Sequence, residues 1–124
     1  MILPTVMIGG VSILTLLIND PAYMQNTLRQ DLWRAGHAHA GVYLVLSLVA
    51  LRYVDETGLS DGLKWFVRLA MPSAAILVPA GFFLSVLQPQ ATEPNGLISL
   101  TYVGAAVLAA GVLLLGVGLL RPSR

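Results

Sequence analysis

Arg34-Ala35-Gly36-His37-Ala38-His39-Ala40-Gly41 stands at the head of a strongly apolar run and holds the only two histidines of the chain. In a helix of 3.6 residues per turn, a step of two residues rotates the side chain by about 200°. The two imidazoles therefore point to nearly opposite faces. Chelation of one ion within one helix would need a spacing of four, as in the zinc-protease motif. The spacing here suits a helix that stands between two sites and gives one ligand to each. Gly36, Ala40, Gly41 and their neighbours keep the surroundings thin, so a flat, bulky group has room against the backbone.

The rest of the composition places that helix in a membrane. Of 124 residues, 56% are hydrophobic and only 10% charged. Several uncharged runs approach the roughly 20 residues needed to cross a bilayer. No cysteine is present, which removes disulfides, iron–sulfur clusters and thiolate ligands. A net charge of +1 gives no reason to expect nucleic acid. The expected fold is an all-α, integral membrane bundle of four transmembrane helices, forming a single domain over 1–124.

The first apolar run, Met1 to Ile18, lacks a basic n-region, and no Ala-x-Ala site precedes Asn19-Asp20-Pro21. It reads as an uncleaved helix over 2–18. Asp20-Pro21 reads as an N-cap followed by proline at the first helical position. Met24, Leu28 and Leu32 share a face, which suggests an amphipathic helix over 21–33 on the membrane surface, with Trp33 at headgroup depth. An ordered loop is the alternative. Further spans are expected over 34–53, 63–87 and 96–120. Ser60 or Asp61 can cap the third. Pro72 and Pro79 bend it, as a bundle allows. The fourth is studded with small residues, from Gly104 to Gly118, that favour close helix contact within the subunit or with another copy.

Lysine and arginine set the orientation. Five of the seven cations, Arg52, Lys64, Arg68, Arg121 and Arg124, fall on one side, and Arg29 and Arg34 on the other. Both termini are therefore expected in the cytoplasm, with the histidines near the outer surface of a bacterial cytoplasmic membrane.

Gly36-His37-Ala38-His39-Ala40-Gly41-Val42 resembles the His-x-His motif of the heme-copper oxidase and nitric oxide reductase catalytic subunit. In that family one helix carries two histidines, each ligating a different haem, and the helices form three arcs of four. The motif here falls on the second helix of a single arc. The resemblance implies a haem-ligating role for His37 and His39, with a b-type haem expected. It does not extend to the family's copper site, whose three further histidines are missing from this chain.

One helix cannot clamp one haem with ligands on opposite faces, so a homo-oligomer is expected, preferably a trimer. His37 of one copy and His39 of the next would share a haem. Gly36, Ala40 and Gly41 would give the macrocycle room, and Arg34 would meet a propionate. A dimer joining like histidines across a twofold axis ranks second. Ordinary hydrogen bonding of both histidines to neighbouring helices is the competing structural reading. Three functions follow in order: a b-type cytochrome passing single electrons, a haem enzyme binding oxygen or nitric oxide at an open position, and a cofactor-free subunit packing on a larger complex. Enzymatic activity, if any, is expected to be that of an oxidoreductase. A quinone or redox protein is a possible electron partner, and membrane lipid surrounds the chain.

Overall fold

The computed structural model describes residues 2–121; Met1 and Arg124, both used in the sequence reading, lie outside the described residues. Every regular element among those described is helical: α1 (Ile2–Asn19), α2 (Pro21–Gln25), α3 (Thr27–Tyr53), α4 (Asp61–Ser85) and α5 (Ser99–Leu119). Single 3₁₀ turns at Val54–Glu56 and Gly96–Ile98 lead out of α3 and into α5. Helices α3, α4 and α5 are long and apolar enough to cross a membrane, whereas α1 is apolar but shorter. At 27, 25 and 21 residues they measure about 40, 37 and 31 Å, against a hydrocarbon core of about 30 Å.

The helix that carries the histidines begins at Thr27, not at Arg34, and the surface helix expected over 21–33 is two pieces. Asp20 caps α2, its carboxylate accepting from the backbone N–H groups of Ala22 (2.9 Å) and Tyr23 (3.3 Å), with Pro21 in the first turn. Asn26 then breaks the chain with a non-helical backbone and starts α3, its side chain accepting from Arg29 N–H at 3.0 Å. A second cap of this kind ends one helix and begins another. Trp33 accordingly lies inside α3, half-buried between Tyr23 and Phe83.

Helix α4 is the middle of the bundle, packed along α3 on one side and α5 on the other, while α1 leans on α3. The small residues of α5 are used inside the chain. Gly104 faces Leu77 and Val78, Gly111 faces Ala70 and Met71, and Gly118 faces Thr57 and Leu59. Their seven-residue spacing keeps one glycine edge against α4 and the turn that leads into it. Gly81 of α4 is a tight point of the contact between the two helices: a Cβ there would stand 2.6 Å from the backbone nitrogen of Thr101.

The two ends of the bundle differ. At the end where α3 passes into α4, Ala50, Val54, Val67 and Met71 form a buried cluster against Leu59, Leu108 and Leu115. Arg68 pairs with Asp55, and Arg52 with Glu56, on its rim; exposed pairs of this kind contribute about 1 kcal/mol or less. The opposite end, which carries α2, is held by hydrogen bonds. Asn26 donates to the carbonyls of Pro89 (3.1 Å) and Ala91 (2.9 Å). Arg29, only 5% exposed, donates from Nε to Val86 O at 3.0 Å and from a terminal nitrogen to Leu87 O at 3.4 Å. A guanidinium at the C-terminal carbonyls of α4 meets the negative end of the helix dipole. Large apolar side chains elsewhere, Val42, Leu48, Leu69, Ile76 and Leu113 among them, are exposed around the whole bundle, as a lipid-facing surface requires.

Candidate functional site

His37 and His39 lie on different faces of α3, as their spacing predicts. The surroundings of the two rings are unlike. His37 turns to α1 and fills a notch over Gly9 and Gly10. A Cβ on Gly10 would stand 2.9 Å from His37 Nε2 and 3.0 Å from Cε1; one on Gly9 would stand 3.7 Å from Nδ1. No hydrogen bond to His37 is made among the described residues. The thin backbone that accommodates a flat group is thus that of α1, and the group lying on it is the histidine itself.

His39 turns toward α4. Its Nδ1 lies 2.7 Å from the carbonyl oxygen of Ala35. A carbonyl only accepts, so Nδ1 donates, and in the neutral ring Nε2 keeps its lone pair. The ring meets Tyr43 edge-on at 5.2 Å between centroids and lies tilted against Phe82 at 5.3 Å. With Ala38, Val42 and Tyr43 it lines a shallow surface groove of about 180 Å³. A histidine that ligates a metal through one nitrogen commonly has the other fixed in this way by a carbonyl.

The remaining expected site residues are not gathered about one space. Gly36 is buried under Phe82 and Phe83, whose side chains would lie 3.1 Å from an added Cβ. Gly41 faces Val6 of α1, and Ala40 lines an apolar cleft with the same valine. Arg34 is exposed, bonded to Asp31 at 3.3 Å and to the Gln30 carbonyl at 3.1 Å. Among the described residues no group of three or more His, Cys, Asp or Glu side chains is placed to hold a metal ion.

Sequence reasoning missed an aromatic cluster one turn above the histidines. The Arg29 guanidinium carbon sits 4.6 Å from the centroid of Trp33 and 5.7 Å from that of Tyr23. Trp33 in turn meets Phe83 edge-on at 5.8 Å. Burial pushes the Tyr23 phenol above its ordinary range, against the pull of Arg34 and Arg29. The i, i+4 spacing of Arg29 and Trp33 was visible in the sequence; the tyrosine and phenylalanine, supplied by other helices, were not.

No family model, curated protein or solved structure matches the chain.

Proposed function

We propose that the chain is the protein part of a membrane b-type cytochrome, with haem ligated by His39. The observation that carries the reading is the 2.7 Å contact of His39 Nδ1 with Ala35 O, which leaves Nε2 as the ligating atom in an apolar, aromatic groove. When bound, haem supplies a centre that gains and loses one electron. The protein's part is to fix the imidazole, to flank it with Tyr43 and Phe82, and to exclude water with Ala38 and Val42. A groove of about 180 Å³ is too small to enclose a macrocycle, so the second wall comes from another copy of the chain. The His39 groove is open at the surface while His37 is engaged by α1, which favours two His39 side chains meeting across a twofold axis. The cyclic trimer, with His37 of one copy and His39 of the next, requires His37 to leave the Gly9–Gly10 notch, and we rank it below the dimer on that ground.

In the same reading α1 is a fourth span. It carries no charge, and its 18 residues reach about 27 Å, close to the hydrocarbon thickness. Arg52, Lys64, Arg68 and Arg121 at one end, against Arg34 and the buried Arg29 at the other, put the loop between α3 and α4 in the cytoplasm. A bacterial cytoplasmic membrane suits this arrangement.

The test is the absorption spectrum of detergent-purified protein. The wild type is expected to show the split reduced band of low-spin haem, His39→Ala to lose it, and His37→Ala to keep it. A colourless wild type would leave a cofactor-free subunit. The placement of His37 also favours a second reading, in which one His39 holds haem with its sixth position open. Carbon monoxide would then shift the reduced spectrum, whereas ligation by two imidazoles predicts no shift.

A further inference from the structure

A separate cavity lies on the other face of α3. It is a cleft of about 210 Å³ between α1, α3 and α4, lined by Val6, Ala40, Leu44, Leu48, Pro72 and Ile76 among others. The lining is apolar, and its one polar side chain, Ser47, is already bonded to Tyr43 O at 2.7 Å. His37, Ala40, Leu44, Leu48 and Leu51 follow one another at three- and four-residue steps, so they form a single stripe of α3. Val6 and Gly10 form the matching stripe of α1, with Val6 in the cleft and Gly10 beneath His37. The stripe therefore runs for roughly 20 Å, with the His37 imidazole at its α2 end, about one turn from Ala40 and outside the cleft's own lining.

We infer that this cleft binds a lipid-soluble quinone, its isoprenoid tail along Ala40, Leu44 and Leu48 and a ring carbonyl accepting a hydrogen bond from His37. The tail is matched by the uncharged lining. The head is matched by a hydrogen-bond acceptor, because the His37 imidazole makes no hydrogen bond among the described residues and can donate one. A phospholipid would need a cation for its phosphate, and the nearest on α3, Arg34, is already bonded to Asp31 and Gln30. The inference goes beyond the haem reading and does not depend on it.

The test is equilibrium titration of the full chain in quinone-free nanodiscs with decylubiquinone, read as quenching of Trp33 fluorescence in a Trp65→Phe background. It is performed on the otherwise native protein and again on His39→Ala, so that the result stands whether or not haem is present. Saturable quenching is expected in both. His37→Leu should weaken it about tenfold, the size of one lost hydrogen bond, and His37→Gln should restore most of it. Ala75→Phe, which fills the cleft, should abolish it. Decylphosphocholine should not compete. Circular dichroism identifies any variant that fails to fold, and the His37→Leu and His37→Gln pair then decides alone. Absence of saturable quenching, equal affinity in His37→Leu, or full competition by decylphosphocholine would each overturn the proposal; the last would identify a groove for acyl chains.

Discussion

Gly81→Ala is expected to lower the stability of the bundle by about 3 kcal/mol or more, the upper part of the range for overpacking. One methyl group would stand 2.6 Å from the backbone nitrogen of Thr101. The Thr101 hydroxyl is nearer still, but the backbone nitrogen remains in the way whichever rotamer Thr101 adopts, so α4 and α5 must separate. Separation also breaks the bond from Thr101 Oγ1 to Val78 O, 3.3 Å, and loosens Gly104 and Gly111 from the same seam. Removing the hydroxyl with Thr101→Ala should not rescue the variant, because the backbone nitrogen stays. Gly116→Ala is the control in the partner helix: nothing lies within 4 Å of a Cβ there, and a change within about 0.5 kcal/mol is expected. Unfolding in mixed micelles of rising dodecyl sulfate fraction, followed by circular dichroism, measures both. Equal stability of the two variants would show that the α4–α5 seam is looser than described.

Arg29→Leu is expected to cost about 3 kcal/mol and to free the segment after α4. The guanidinium is buried and has no carboxylate partner among the described residues; its charge is met by the carbonyls of Val86 and Leu87 and by the faces of Trp33 and Tyr23. Hydrogen bonds to a charged donor contribute about 1.5–3 kcal/mol, and a desolvated cation–π contact up to about 2 kcal/mol. Leucine replaces none of these and leaves the two carbonyls unsatisfied. Arg29→Lys should recover little, because an ammonium cannot donate from Nε while its plane lies over the indole. The same micelle titration gives the stability, and hydrogen exchange at residues 86–91 gives the local effect. Protection unchanged from the wild type would mean that Asn26 alone holds that segment.

The positions of the long helices were legible because each contains a long uncharged, apolar run. Asp20-Pro21 gave its cap in the expected register. The start of α3 was misplaced because Asn26 reads equally well as a polar residue inside an amphipathic helix; only its bonds to Pro89 and Ala91, some sixty residues away, show why the chain breaks there. The glycines of α5 were legible as close-packing residues, but whether they serve the subunit or a neighbour depends on which helix faces them. At the histidines, spacing gave opposite faces and nothing more. That Gly9 and Gly10 would receive His37, and that Phe82 and Phe83 would cover Gly36, are contacts between distant segments that no local pattern encodes. Arg34, placed by sequence beside a haem propionate, is bonded instead to Asp31 and Gln30 of its own helix.

Haem ligation by His39 is tested most directly by native mass spectrometry of the complex released from mild detergent, with haem quantified against chain. The expected species is two chains sharing one haem, unchanged in His37→Ala and replaced by haem-free chain in His39→Ala. Haem retained in His39→Ala would contradict it; a haem-loaded single chain that loses haem in His39→Ala would contradict the dimer and leave ligation by one His39.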